Sequence, residues 1–437
     1  MDITLISYGS RGDVQPYVAL ARVLRYIGHR ARLIAPPDFA GLAQDYGVEF
    51  WPVGSDLQAL LNNPQLLART SSGNPIQLLR RLRDQLLSML DQVARDTWEA
   101  CQGTELVIGV GPASASMAEK LGVPFVEVAL QPVTPTRAFP SPVAPPGLRL
   151  GGAGNWLSHV AFEQAFWQLF RSNTNRIRTR LLGLPAYPLG GPLRHLRKHG
   201  LLRLYAYSPR VVPRPGDWPA HHRVTGYWFL PPPAGWQPPD ELSAFLAAGP
   251  PPVYIGFGSM MARDPQQMTA LVSEALARSG QRGVLAGGWG ALDGTMQPSG
   301  QVLFVQHIPH HWLFPRMAAI VHHDGAGTTG AALRSGVPSV VVPFGFDQAF
   351  WGHRVAALGL GPQPIPRIKL NAAALGAAIE QAAGSASMRE RAAQLGAQIQ
   401  GEHGTAQALD HIHQALRLAA KKGGVGASPH IPPLPTL

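Results

Sequence analysis

The sequence predicts an α/β protein built from two doubly wound, parallel-sheet domains that face each other across a cleft. Three observations lead there. Short apolar runs alternate with amphipathic stretches in both halves of the chain, the pattern of strand, crossover helix and parallel strand. A proline-rich stretch with few periodic apolar positions separates the two series. At 437 residues the chain is too long for one ordinary core, and 45% apolar residues are enough to fill two.

The first series opens with the apolar run Ile3 to Tyr8, then Gly9-Ser10-Arg11-Gly12-Asp13, then an amphipathic stretch from Val14 to Ile27 that stops at Gly28. That reads as strand, glycine turn and helix, and Arg30 to Ala35 reads as the next strand. Leu106 to Val110, a small-residue helix ending at Gly122, and Pro124 to Leu130 repeat the alternation. Gln131 to Pro146 is rich in proline. Asn155 to Leu182 is helical in pattern and carries Trp156, Phe162, Phe166, Trp167 and Phe170, a stripe that suits a core and also suits a pocket wall. Pro209 to Pro252 marks an interdomain connection. The second series has strands at Val253 to Phe257, Gly283 to Ala286, Val302 to Val305, Ala318 to His322 and Ser339 to Val342, with a helix from Pro265 to Arg278 and helices from Ala372 to Leu416. The expected division is an N-terminal domain over 1–215, a proline-rich connection over 216–250, a C-terminal domain over 251–420 and a disordered Gly, Pro and Ser-rich tail over 421–437.

The net charge of +11 comes from 37 basic residues, of which only five are lysine, and they are scattered singly. A phosphate-tracking surface needs them gathered on one face, so no nucleic-acid partner is expected. The charge suits anionic small substrates or peripheral contact with a membrane surface. Asp2 interrupts any basic leader, no run approaches the length of a membrane span, and the single Cys101 has no internal disulfide partner. A cytoplasmic location is the expectation from these.

The segment with the clearest chemistry is Ile320-Val321-His322-His323-Asp324-Gly325-Ala326-Gly327-Thr328-Thr329-Gly330, which runs into a helix stopping at Gly336 before Pro338. A strand that opens through glycines into a helix N-terminus offers free N–H groups and a dipole to a phosphate. Thr328 and His323 can add donors, although a threonine there can simply cap the helix. Just past the next strand, Asp347 and Gln348 supply the acceptors and donors that sugar hydroxyls need.

The stretch from Val305 to Gly361, above all His322 to Thr329 and Asp347-Gln348, resembles the donor signature of family 1 glycosyltransferases. The likeness is to the bacterial and fungal branch that includes sterol and antibiotic glycosyltransferases. Tyr8-Gly9-Ser10-Arg11-Gly12-Asp13-Val14-Gln15-Pro16 resembles that branch's N-terminal motif, and Gln131-Pro132 through Phe139-Pro140 resembles its acceptor loop. The resemblance implies a GT-B fold of two Rossmann-like domains and inverting transfer of a hexose from a nucleotide diphosphate sugar to a hydroxyl of a lipophilic small molecule. UDP-glucose is the first expected donor, with dTDP-sugars and rhamnosyl donors behind it. Asp13 corresponds to the general base. His323, Gly325, Gly327 and Thr328 correspond to the diphosphate cradle, with Ser259 approaching from the other strand. Asp347 and Gln348 correspond to the hexose contacts. Trp289, His307 and Ile308 are candidates for the nucleoside platform, and Phe139, Phe162 and Phe166 for the acceptor pocket. The donor is a co-substrate, and no cofactor is expected beside it.

Two positions depart from the pattern. Asp324 stands where many relatives carry glycine, and a carboxylate beside a diphosphate is unfavourable unless it points away. Ala331 stands where plant members carry a ribose-binding glutamate. No Asp-x-Asp occurs, and the histidines His307, His310, His311, His322 and His323 lack the paired spacing of a zinc site, so no metal is expected. A nucleotide-sugar epimerase and a non-catalytic nucleotide- or lipid-binding protein of the same fold are the rival readings. The first glycine turn lacks the G-x-G-x-x-G spacing of a nicotinamide dehydrogenase.

Overall fold

The computed structural model describes residues 1–54, 89–145, 147–148, 150–192, 200–233, 235–260, 264–288, 290–293, 300–306 and 308–423. Most of its strands are short, buried, largely apolar runs bounded by glycine, proline or polar residues. The N-terminal sheet contains β1 (Asp2–Ile6), β2 (Arg30–Ala35), β3 (Glu49–Pro52), β4 (Leu106–Gly109), β5 (Phe125–Ala129), β6 (Arg203–Tyr205) and β7 (His222–Val224). They lie in the order β3-β2-β1-β4-β5-β6-β7, all parallel. The C-terminal sheet contains β8 (Val253–Gly256), β9 (Gly283–Ala286), β10 (Val302–Val305), β11 (Ala319–His322) and β12 (Ser339–Val341), in the order β10-β9-β8-β11-β12, again all parallel. The strand order reverses at β1 in one sheet and at β8 in the other, and ligands of such sheets bind outside the strand C-termini at these switch points.

The longer helices are α1 (Arg11–Tyr26), α2 (Gly111–Leu121), α3 (Gly151–Arg176), α4 (Asp240–Ala247), α5 (Pro265–Arg278), α6 (Ala326–Ser335), α7 (Gln348–Ala357), α8 (Ala372–Gly384), α9 (Ala386–Gln400) and α10 (Gly404–Gly423). The N-terminal core gathers Leu5, Val18, Leu20, Leu33 and Ile108. The C-terminal core gathers Ile255, Val272, Leu285, Val321 and Ile379. A third cluster joins them, with Tyr205, Tyr207 and Trp218 from the first half packed with Leu333, Trp351 and Ile399 from the second.

The chain is less cleanly divided than the sequence suggests. The connection expected over 216–250 contains β7, an edge strand of the N-terminal sheet, and α4, whose Leu242 and Phe245 pack in the C-terminal half. Helix α10, expected with the C-terminal domain, crosses back so that Ala408, Leu409, Ile412 and Leu416 complete the N-terminal core. The reason is burial: α10 is strongly amphipathic, and its apolar stripe lies against α1. Of the tail expected to be disordered, 424–437 lies outside the described residues.

Candidate active site

The first glycine turn follows β1. Gly9 adopts φ +118°, and a Cβ there would sit 2.5 Å from Asp13 Oδ2, so only glycine lets the turn close over that carboxyl. Ser10 is the N-cap of α1 and Asp13 is the third residue of the helix. Asp13 Oδ2 accepts from the Ser10 N–H at 2.8 Å and from Ser10 Oγ at 2.9 Å, the return half of a capping box. The capping role therefore belongs to Ser10 with Asp13 as its partner. Asp13 Oδ1 has no hydrogen-bond partner among the described residues and remains available to a ligand hydroxyl. Burial raises the Asp13 pKa above the ordinary carboxylate value, and the two Ser10 bonds act in the opposite direction.

The second turn follows β11. His323 is 6% exposed and wedged between two glycines: a Cβ on Gly258 would lie 2.7 Å from its Cε1, and one on Gly325 the same distance from its Nε2. Burial pushes its pKa down to about 4, so the ring is neutral, and its buried Nδ1 has no partner. Gly325 is the N-cap of α6, and the N–H groups of Ala326, Gly327 and Thr328 open the first turn. The half-buried Thr328 hydroxyl has no hydrogen-bond partner among the described residues.

Asp324 is where the sequence left a question, and the geometry answers it. Its backbone is left-handed at φ +69°, which accounts for glycine suiting that position elsewhere. The side chain is fully buried and turns into the domain, where Oδ1 accepts from Thr329 Oγ1 at 2.5 Å. A Cβ on Gly352 of α7 would lie 3.2 Å from its Oδ2. Burial raises its pKa well above the carboxylate range. Asp324 is therefore buried against Thr329 of the first helical turn, and burial favours its protonated form, which weakens the repulsion of a diphosphate expected from the sequence.

The two turns meet. A Cβ on Gly327 would come within 3.2 Å of Gly12 Cα, so the N-termini of α1 and α6 touch glycine to glycine across the cleft. Beside them, Asp347 accepts from Trp351 Nε1 at 2.8 Å and lies close enough to the Gln131 side chain of the N-terminal half for that amide to favour its charged form. Burial raises its pKa, and Asp13 is close enough that its charge adds to the shift. Gln348 is buried and spends its carbonyl on its own loop, accepting from the N–H groups of Phe344 at 2.6 Å and Gly345 at 3.2 Å, while Nε2 points to Met260 Sδ. Ser259 lies half-buried in the turn that ends β8, next to Gly258 under His323. His310 stacks on Phe314 at 4.2 Å, and burial, assisted by Arg11, His323 and His311, pushes it down to about 3.

The remaining candidates divide. Ile308 packs against the cluster holding Leu313 and Phe314, which removes much of its surface from a nucleoside. Trp289 and His307 lie outside the described residues. Phe139 sits at the cleft, its ring 5.6 Å from Phe350 of the C-terminal half and 6.0 Å from His159. Phe162, Phe166 and Phe170 form a ladder along α3 with ring separations of 6.0 and 4.7 Å, while Trp167 alone of the stripe is in the core. Sequence reasoning missed Ser10 and Gln131. The capping-box spacing Ser10-Arg11-Gly12-Asp13 was the signal for the first; Gln131 opens the segment that resembles the acceptor loop, but its approach to Asp347, more than two hundred residues away, is not encoded locally.

Two family models match the chain: the glycosyltransferase family 28 N-terminal domain over residues 3–140, and the erythromycin biosynthesis protein CIII-like C-terminal domain over 289–409. Sterol 3-beta-glucosyltransferase of Neurospora crassa is 37% identical over 96% of this chain and 27% of its own length. The enzyme of that name from Penicillium rubens is 37% identical over 99% of this chain and 32% of its own length. The chain thus spans about a third or less of the curated relatives it matches. Among solved structures, the glycosyltransferase of kitacinnamycin superposes with a TM-score of 0.66 at 19% identity, covering 95% of this chain and 99% of that one. Glycosyltransferase VinC in complex with dTDP superposes at 0.61 and 19% identity, covering 96% and 100%. These structures share the two-domain fold. The chain thus has the two-domain fold of these structures and matches a glycosyltransferase family 28 model over 3–140 and an erythromycin CIII-like model over 289–409.

Proposed function

We propose that the chain transfers a hexose, with inversion and without a metal ion, from a nucleotide diphosphate sugar to a hydroxyl of a lipophilic small molecule. The observation that carries this reading is the meeting of a carboxylate oxygen free to accept a proton, on Asp13, with an unfilled helix N-terminus, that of α6. A carboxylate is a weak base toward an alcohol in water. It suffices when the proton moves late, after the anomeric carbon has gained oxocarbenium character and the attacking hydroxyl has become acidic. The acceptor oxygen then bonds to the anomeric carbon as the bond to the diphosphate oxygen breaks, and Asp13 takes the proton. Negative charge grows on the leaving diphosphate, which the N–H groups of Ala326, Gly327 and Thr328, the Thr328 hydroxyl and neutral His323 receive, with Ser259 beside them. Asp347 accepts from hexose hydroxyls, and Gln348 holds the loop that presents it.

UDP-glucose is the first donor to test and a dTDP-sugar the second, since relatives at 37% identity are sterol 3-beta-glucosyltransferases. A sterol or comparable alcohol suits Phe139, Phe162 and Phe166, which offer aromatic walls in a segment, 131–170, whose only acid is Glu163. The test is product formation from UDP-glucose with a panel of sterols, terpenoids, polyketides, saccharides and peptides. Lipophilic alcohols should give β-linked glucosides and stoichiometric UDP. Transfer only to saccharides or peptides would remove the acceptor half of the reading, and an α-linked product would remove the inverting mechanism.

A further inference from the structure

We infer that Phe346 and the turn Arg367–Lys369 form a docking tip for an anionic lipid surface, which seats the mouth of the cleft against a bilayer. Phe346 and Ile368 are 88% and 94% exposed, more than any other large hydrophobic side chain among the described residues. Phe346 also holds a left-handed backbone at φ +52°, a conformation that bulky residues rarely adopt, although Gly345 stands immediately before it. The loop therefore turns a bare aromatic ring to solvent against both its hydration and its backbone preference, a combination that marks a contact surface.

The two segments lie side by side. The Ile365 N–H donates to Val341 O at 2.9 Å, extending the edge of β12, and the Arg367 guanidinium rests 4.8 Å over the Phe344 ring. Arg367 and Lys369 bracket Ile368, and all three are exposed. Between residues 344 and 379 the sole acid is Asp347, whose carboxyl is turned inward to Trp351 and Gln131. This stretch thus offers two exposed apolar side chains and two cations, and its one carboxyl is turned inward. A stable protein interface needs on the order of 800 Å² from each partner, and two side chains supply a small fraction of that. A lipid headgroup layer asks only for shallow apolar insertion with cations at phosphate depth. Phe346 adjoins Asp347, so docking here brings the donor-sugar end of the cleft to the membrane surface and lets a lipophile pass between them without crossing bulk water. The value of that arrangement rests on the lipophilic acceptor proposed above, whereas the docking itself does not.

The experiment is flotation of the full chain, without substrates, on vesicles of phosphatidylcholine with phosphatidylglycerol and on vesicles of phosphatidylcholine alone. Wild type should float with the anionic vesicles and be released by salt. Phe346→Gly with Ile368→Ser should weaken that binding at least about tenfold, and Arg367→Gln with Lys369→Gln should abolish the preference for anionic lipid. Glycine suits the left-handed position and Ile368 covers nothing, so a melting temperature at or above wild type checks that the fold is intact. Ile368→Ser alone should leave transfer to a detergent-dispersed acceptor unaltered. Equal flotation of all variants, no flotation of wild type, or self-association lost on changing Ile368 would each overturn the proposal. Vesicle binding by a protein that glycosylates only free saccharides would keep the docking tip and refute the acceptor assignment.

Discussion

β1 and β11 each run into a glycine turn and a helix whose N-terminus faces the cleft, yet the two helices use that terminus in opposite ways. In α1 the chain supplies its own anion: Asp13 accepts from Ser10, so the terminus is partly filled and the remaining carboxylate oxygen is held at a fixed place. In α6 the nearby carboxyl, Asp324, is buried and takes the Thr329 hydroxyl, burial favours its neutral form, and no side chain caps the first-turn N–H groups. On the function proposed above, one architecture is a mount for a base and the other a seat for an anion. The difference is made by where one side chain points, three residues into the helix or one residue before its cap.

The largest effect should come from breaking the α1 side. Asp13→Asn keeps an oxygen for the Ser10 N–H, so the cap and fold should survive while turnover falls about two to four orders of magnitude with nucleoside diphosphate affinity unchanged. Because Asp13 must be ionised to act and burial raises its pKa, wild-type kcat/KM should climb with pH along an acid limb displaced above the ordinary value near ~4, and the variant should lack that limb. Unchanged turnover would take Asp13 out of the mechanism and leave it a capping residue.

Breaking the α6 side should be milder and appear in binding. His323→Ala and Thr328→Ala each remove one uncommitted donor, worth about 1 kcal/mol, or roughly fivefold in the dissociation constant of the free nucleoside diphosphate. Calorimetry with wild-type affinity in both variants would contradict the placement of the diphosphate at this terminus.

This comparison was half legible in the sequence. Both strand–glycine–helix units show in the local pattern, and Arg30–Ala35, Pro265–Arg278, Gly283–Ala286 and Val302–Val305 are read to the residue because apolar runs there end at glycine, proline or charge. β6 and β7 were not read, since a buried Arg203 breaks the apolar pattern and is explained by Glu127 on the neighbouring strand, 2.6 Å away, and by Thr134, neither of them near it in sequence. The direction of Asp324 was not readable either. Its left-handed φ and its hydrogen bond from Thr329 depend on the space beside Gly352, which no local spacing encodes. The aromatic stripe of α3 could not be sorted into Trp167 inside and the phenylalanine ladder outside, because the helix is apolar on several faces and periodicity then loses its direction.

A smaller effect separates the two acids by stability. Asp324 keeps in the folded state a proton that the unfolded chain releases, so its contribution to stability declines as pH rises from the unfolded value toward the folded one. The slope is bounded at about 1.4 kcal/mol per pH unit for one group. Asp324→Asn keeps an oxygen for Thr329 and cannot ionise. Its melting temperature should therefore fall less than that of wild type between about pH 5 and pH 8. Asp13 and Asp347, also raised, keep their own shares in the variant. Parallel curves for the two proteins would mean that Asp324 is already ionised when folded.

The smallest expected effect is none, and it tests whether the α6 terminus is sufficient. Charge developing on a departing diphosphate needs a positive partner, which a bound divalent cation supplies in many transferases. Here the helix terminus, Thr328 and His323 are fixed in place before reaction, so they need no reorganisation as the charge appears. Of the acids nearest to them, Asp324 is buried and bonded by Thr329, while Asp13 and Asp347 have the acceptor hydroxyl and the hexose as their tasks in the proposed reaction. On that reading no carboxylate is left over for a cation held by the diphosphate. Exhaustive chelation should accordingly leave the transfer rate within error of the untreated protein. A rate that collapses with chelator and returns with magnesium or manganese would mean that the helix N-terminus binds the donor but does not carry the leaving group's charge.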